Sequence, residues 1–379
     1  MRPPIRTLAG TTLLVAALTL SACGGDSSSE STSSAATDGG EATEADARTE
    51  ADAETEAGAA GEPGESEQTD LTVALPYPDY TQFSLYWMAD ELGYFEDEGL
   101  TVEVITADDV VAAIASDSAD VGVDSAGTVI DAVNKGVDVE ILSGHFCRQN
   151  FDFATQPDIT DTAQLDGTDI VLAGTAGDPA EFERAIVLEE EGWGLEEVDV
   201  NLVYPGPDSA AWREFLIADR VTLIPFYDDD AAALEEYGAN VPVTTIRNWP
   251  NDLHVVRADW AQDNPNTATR FLRAVMLAAD YMLAPGLGEV PENKDAVLDV
   301  YEANDYEVDD LRASDSQWVL GGHFFCDNLY FDQAAYDGTI ERQQLEPGEF
   351  SELVDLTALE NAQALLGRDN TPPVEVDYP

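Results

Sequence analysis

From Asp70 onward, short β-type runs alternate with helical patterns, and this rhythm limits the fold more than any other feature of the chain. The first set runs LTVAL (71–75), FSLYWMADEL (83–92), TVEVIT (101–106), VVAAIA (110–115), ADVGV (119–123), TVIDAV (128–133) and VDVEILS (137–143). A second set follows as TDIVLA (168–173), EFERAIVLEEEG (181–192), VDVNLVY (198–204), AAWREFLIA (210–218), RVTLIPF (220–226), DDAAALEEYG (229–238) and PVTTI (242–246). Such alternation predicts wound α/β sheets with crossover helices. Beyond it the pattern turns helical, with Asn264 and Pro265 suited to the N-cap and first position of a long helix through Leu283.

The stretches between the two sets, residues 144–152 and 246–253, are natural crossing points for a chain that leaves one domain and later returns. The expected fold class is therefore α/β, with two lobes joined by a two-strand hinge around a cleft. Residues 70–147 and 251–379 are expected in lobe one with C-terminal helices, and 148–250 in lobe two. Ligands of open α/β sheets bind beyond the carboxyl ends of the strands, which nominates loops 76–84, 124–128, 174–178 and 226–228.

With 77 acidic against 16 basic residues the formal net charge is −61, which disfavours nucleic acid and anionic lipid headgroups as partners. Only Lys135 and Lys294 are lysines, the other cations being arginines. Dense carboxylates with weakly hydrated Arg suit a salt-adapted surface.

At the N-terminus, Arg2 and Arg6 precede an apolar stretch over residues 8–20, shorter than the roughly 20 residues a spanning helix needs. Residues 1–22 thus read as a secretory signal. The sequence Leu20-Ser21-Ala22-Cys23 resembles the lipobox of bacterial lipoproteins, which implies acylation of Cys23 and anchoring to the outer face of the cell membrane. Residues 23–69 are Ser-, Thr-, Ala-, Gly- and acid-rich and lack aromatic residues, and are expected to be a disordered acidic tether.

The run Ala89-Asp-Glu-Leu-Gly93-Tyr94-Phe95-Glu96-Asp97-Glu98-Gly99-Leu100-Thr-Val-Glu-Val resembles the signature of the nitrate, sulfonate and thiamine-precursor (SsuA/THI5-like) binding proteins of ABC importers. Ala119-Asp120-Val121-Gly122 and Lys135-Gly136-Val137-Asp138-Val139 fall at that family's usual intervals, so the resemblance covers most of residues 71–285. It implies a periplasmic binding protein fold of type II, a small-molecule ligand, and a permease and ATPase as partners. Leu92 closes a helix, Gly93 supplies a left-handed turn, and Tyr94 and Phe95 tuck under the sheet before Gly99 reverses the chain. These residues build the fold and do not touch ligand.

The first site loop and the turn after it gather Tyr77, Tyr80, Phe83, Tyr86 and Trp87 with Asp79 and Gln82, a set suited to a flat heterocycle. Tyr86 and Trp87, already within a helix, read rather as core. Ser125, Gly127, Thr128, Thr175 and Gly177 offer hydroxyl or backbone donors at helix starts, with Asp178 and Tyr227 in the same loops. Asp124 and Asp228 directly follow strands and suit either an amino group of a ligand or helix capping. The nearby cations are Arg148, Arg184 and Arg213, each also readable as a surface ion pair among many carboxylates. This shortage of cations tilts the expected ligand toward a neutral or cationic heterocycle such as a thiamine-type pyrimidine. An alkylsulfonate, taurine- or nitrate-type anion is second.

Cys147 and Cys326 form an even pair outside the cytoplasm and are expected to be disulfide-bonded. The near-repeat of Gly144-His145-Phe-Cys147 and Gly322-His323-Phe-Phe-Cys326 leaves open a His/Cys metal site or a pair of cleft-lining segments. An enzyme is not expected. Gly122-Val-Asp-Ser125-Ala-Gly127 places its first glycine one residue too early for a nucleophile elbow, and there is no P-loop. Distant relatives implied by the resemblance include a pyrimidine-forming enzyme using pyridoxal phosphate, but its cysteine cluster and a lysine near the site loops are missing here. No cofactor and no resident metal are expected, and the protein is expected to act as a monomer. A sensor lipoprotein that presents its ligand to a membrane receptor is the other non-enzymatic reading.

Overall fold

The computed structural model describes residues 62–76, 83–206, 208–283, 293–304, 308, 312 and 325–373, with backbone only at 228 and 229. All of these belong to one compact unit, Ala57–Pro379. Two five-stranded sheets organise it. The first contains β1 (Asp70–Leu75), β2 (Thr101–Thr106), β3 (Val121–Ser125), β4 (Glu140–Gly144) and β10 (Asp252–Val256), in the order β2-β1-β3-β10-β4. The second contains β5 (Gln149–Thr155), β6 (Asp169–Ile170), β7 (Asn201–Leu202), β8 (Leu223–Phe226) and β9 (Asn240–Arg247), in the order β7-β6-β8-β5-β9. The fold is α/β, two lobes joined by a two-strand hinge.

The two sheets share a plan. In each, three strands pair in parallel, and the fourth position is filled antiparallel by the strand that has just crossed from the other lobe: β10 beside β3, β5 beside β8. The crossings are the short links from Gly144 to Gln149 and from Arg247 to Asp252. The sequence rhythm recovers most of the other strands but leaves β5 and β10 as connectors, although Gln149–Thr155 is a seven-residue extended run and Asp252–Val256 is fully buried.

Helices cover both faces of the first sheet. One side holds α1 (Leu85–Glu91), α2 (Tyr94–Asp97) and α9 (Pro265–Leu283), whose buried stripe includes Ala268, Phe271, Leu272, Val275 and Ala279. Gly93 and Gly99 adopt φ of 76° and 74°, which lets Phe95 turn into this core against Phe271 at 5.8 Å. The other side holds α3 (Val110–Ala115) and α4 (Ala126–Asn134). Gly122 has no side chain because a Cβ there would stand 2.5 Å from Val110.

The second lobe carries α5 (Ala180–Glu190), α6 (Ser209–Ile217) and α7 (Asp228–Tyr237). After α8 (Ala258–Asp263), α9 and α10 (Lys294–Ala303), the chain ends in α11 (Gln333–Gln343), α12 (Phe350–Leu353) and α13 (Thr357–Leu365). Phe331, Ala335 and Tyr336 join the α3/α4 core, fixing α11 to lobe one, while Arg342 at its end reaches Glu183 of lobe two. Among the described residues no helix is long and apolar enough to cross a membrane.

Candidate functional site

The lobe-one candidates Asp124, Ser125 and Thr128 lie at the carboxyl end of β3 and the start of α4. Asp124 accepts the Ser125 N–H at 2.7 Å, and Ser125, the N-cap of α4, donates its hydroxyl to Thr128 at 2.7 Å. Burial pushes the Asp124 carboxyl up to about 6, opposed by the Ser125 N–H and helped by the charge of Asp109. Opposite Ser125 on the neighbouring strand is Asp252, the first residue of β10. It is only 7% exposed, and its carboxylate makes no hydrogen bond or ion pair among the described residues. Burial, with the Asp124 charge adding, pushes it up to about 7.

Behind Asp252 the same strand carries His254, fully buried. Its Nδ1 lies 3.1 Å from the Gly144 carbonyl, which only accepts, so Nδ1 carries the proton and Nε2 accepts the Tyr86 O–H at 2.8 Å. Burial lowers His254 to about 4 and holds it neutral. Phe83 is 1% exposed and packs in this layer, 5.8 Å from His145 and 6.1 Å from Phe146. The structure thus places Phe83 and Tyr86 in the core, not on a ligand. Tyr77, Asp79, Tyr80 and Gln82 of that loop lie outside the described residues, as do the Asp228 side chain and Cys23.

The lobe-two candidates follow the carboxyl ends of β6 and β8. Thr175 is exposed, and Asp178 caps the start of α5 by accepting the Ala180 N–H at 3.0 Å. Tyr227 ends the β8 loop, and its hydroxyl accepts a hydrogen bond from Arg184 Nη2 at 2.9 Å. Arg184 also donates to the Leu172 carbonyl at 2.6 Å and lies 5.3 Å from the Trp212 ring centre. Trp212 in turn is fixed by its N–H to the Gly206 carbonyl at 2.7 Å and packs at 6.3 Å from Tyr227.

The three arginines near the site loops have three different fates. Arg213 pairs with Asp230 at 2.7 Å, and Arg148 is buried in the hinge, donating to Asn248 at 3.1 Å. Arg184, 7% exposed, makes no ion pair within 4 Å among the described residues, although its charge acts on the buried Glu183 carboxylate. Sequence reasoning named Arg184 as a nearby cation also readable as a surface ion pair; Trp212 and Asp252 it did not nominate.

At the hinge, Cys147 and Cys326 stand at disulfide distance, with Cα atoms 5.6 Å apart, beside a bridge between Phe146 and Phe325. His145 is buried in the aromatic layer, and His323 of the alternative metal reading lies outside the described residues. Where the lobes meet, Gly127 of α4 faces Pro179 of α5: a Cβ on Gly127 would stand 3.1 Å from the Pro179 ring.

Residues 80–285, more than half of the chain, match the model of the family described as NMT1/THI5 like. The chain belongs to the NMT1/THI5-like family. No curated protein sequence matches this NMT1/THI5-like chain. Among solved structures, it is similar to the periplasmic sulfonate-binding protein SsuA of Methylobacillus flagellatus, with TM-score 0.61, 16% identity, and 82% and 99% of the two chains covered. The ligand-binding component of an ABC-type import system from Staphylococcus aureus, solved with zinc bound, gives 0.57 and 12%, over 78% of this chain and 100% of the other. A Candida albicans protein with the generic periplasmic binding protein fold gives 0.55 and 15%, over 82% and 99%. At such identities the likeness is one of fold, and the NMT1/THI5-like chain has the periplasmic binding protein fold.

Proposed function

We propose that this NMT1/THI5-like protein is the extracytoplasmic solute-binding component of an ABC importer, binding a small organic molecule between its lobes without chemical change. Cys23 carries acyl chains that hold it to the outer face of the membrane, residues 23–69 act as a tether, and a permease with its ATPase receives the closed, monomeric form. The observation that carries this reading is the hinge: each lobe contributes a crossing strand to the middle of its sheet, and polar groups gather at the strand ends beside the crossings. Among the described residues no candidate nucleophile stands beside a base, which favours binding over catalysis.

Two ligand classes divide the site. A nitrogen heterocycle of the thiamine-pyrimidine type is supported by Asp124, Ser125 and Thr128 on one wall, by Thr175, Asp178, Tyr227 and Asp228 on the other, and by the aromatic sequence of the first loop. An oxyanion such as a sulfonate is supported by Arg184, which makes no close ion pair among the described residues. Native mass spectrometry of the full chain, before and after incubation with pyrimidines, sulfonates and nitrate, tests the reading. A bound small molecule together with a smaller radius of gyration in solution scattering is expected. A chain that takes up none and does not close refutes it.

A further inference from the structure

Residues 368–373 follow α13, belong to no helix or strand, and bury no large apolar side chain. Core packing therefore does not hold them. Every second carbonyl instead accepts from a side-chain amide: Asn328 Nδ2 donates to Asp369 at 3.3 Å and to Thr371 at 2.9 Å, and Asn248 Nδ2 donates to Pro373 at 3.2 Å. Asn370 answers from the tail, donating to the Phe331 carbonyl at 2.8 Å. Pro372 and Pro373 have no N–H and a fixed φ, so this end can be gripped only through its carbonyls and gives up little freedom when gripped. In a chain with 77 acids, neutral carboxamides also hold without charge, so salt does not screen their grip.

The tail begins in lobe one and ends on the hinge. Asn328 is buried, its carbonyl accepts from Gln363 of α13 at 2.7 Å, and α13 packs in the lobe-one core through Leu359 and Ala362. Asn248 lies in the second crossing, and its Oδ1 accepts from Nε of Arg148 in the first crossing at 3.1 Å. Arg148 reaches the same C-terminal region through the Phe325 carbonyl at 3.4 Å. One carboxamide thus joins both crossings to the tail. The crossings also bond directly, Asn251 N–H to the Phe146 carbonyl at 3.3 Å and His145 N–H to the Asp252 carbonyl at 2.8 Å. Hinge motion absorbs its dihedral change in such crossings, which moves Asn248 relative to Asn328 and pulls on a tail anchored at both.

We propose that residues 368–373 are a strap across the hinge. Anchored in lobe one at Asn328 and fastened to the second crossing at Asn248, they limit how far the two crossings part and so how far the lobes swing. Asn248 is then a positioning residue, acting through the crossings it joins. The inference concerns the motion of the lobes, whatever the solute, and goes beyond the solute-binding reading.

Amide hydrogen exchange of the full chain, read on peptides spanning 144–148, 247–252 and 366–373, tests the proposal. Asn328→Asp keeps an acceptor for the Tyr330 N–H and loses the donors to Asp369 and Thr371, so it touches the tail and leaves Asn248 intact. It is expected to speed exchange in the tail and also, by roughly tenfold, at His145 and Asn251 in the crossings. Asn248→Asp keeps an acceptor for Arg148, loses only the donor to Pro373, and is expected to do the same. A tail that loosens in Asn328→Asp while the crossings exchange as in the wild type overturns the strap, and so does a tail that neither variant loosens. The wild type decides the matter if the variants do not fold: in graded urea the tail and the crossings are expected to open together, and a tail that frays well before them overturns the strap. The measurement uses no ligand, so its failure leaves solute binding standing.

Discussion

Arg342 donates to the Glu183 carboxylate at 3.3 Å, and in doing so joins helix α11, rooted in the lobe-one core, to helix α5 of lobe two. Glu183 is 1% exposed, and the Arg342 guanidinium also lies 4.6 Å from the ring centre of Trp249 in the second crossing. Burial raises the Glu183 carboxyl and lowers Arg342, so each needs the other to stay charged.

Arg342→Ala therefore deprives the buried Glu183 carboxylate of its main ionic partner, at a cost of roughly 3 kcal/mol. Glu183→Leu combined with Arg342→Met is expected to recover most of that loss, because two apolar groups need no counter-charge. Urea denaturation of the two single variants and the double variant checks this. Equal stability of Arg342→Ala and the wild type removes the interlobe tie.

Asp252 gives the protein a pH signature. An unfolded aspartate titrates near 4, while Asp252 in the fold sits at about 7. Between those values the folded chain keeps a proton that the unfolded chain has lost, so this group's contribution to stability falls as pH rises through that window and is flat above it. Asp252→Asn removes the penalty. The variant is expected to be more stable than wild type at pH 8, by at most about 4 kcal/mol, with the gap closing below about pH 4. Thermal melts across pH read it, and a gap that does not change with pH contradicts it. His254, at about 4, works in the opposite direction and is common to both proteins.

Gly144 stands where β4 enters the first crossing, and a Cβ there would lie 2.2 Å from the Tyr330 carbonyl oxygen. Backbone cannot step aside as a side-chain tip does. Gly144→Ala should cost about 2–3 kcal/mol by overpacking, and it should loosen the C-terminal segment from the hinge. Gly136→Ala, where φ is 84° and nothing lies within 4 Å, should cost only about 1–2 kcal/mol of backbone strain. Comparing the two melts separates packing from strain.

The Cys147 and Cys326 pair spans 179 residues of sequence and ties the first crossing to the segment leading into α11. If bonded, it stabilises by roughly 5 kcal/mol in the chain-entropy picture. Reductant is then expected to lower the melting temperature, and the intact mass should lack both thiol hydrogens before reduction. A melt indifferent to reductant, with free thiols in the native protein, rejects the bond.

Much of the fold was legible because its signals are local. The helix from Pro265 to Leu283 follows from a proline suited to a first turn and an apolar stripe at helical spacing, and the turn at Gly93 follows from a residue free to take positive φ. The crossing strands were harder to read. Gln149–Thr155 and Asp252–Val256 look like connectors until each is seen inserted, antiparallel, in the middle of a sheet. The aromatic cluster also divides in a way composition does not show: Phe83 and Tyr86 fill the layer around His145 and His254, because the turn into α1 points them inward.

By itself, the sequence determined the α/β rhythm, the two crossings and the family, since periodicity, turn residues and motif spacing are properties of neighbouring residues. Only the tertiary structure decided which charges are compensated. Asp252 and Arg184 are ordinary members of an acidic chain when read in order, and their standing rests on what distant segments bring, or do not bring, within hydrogen-bonding reach. Burial and counter-charge are set by residues on other elements of the chain, and no local pattern encodes them.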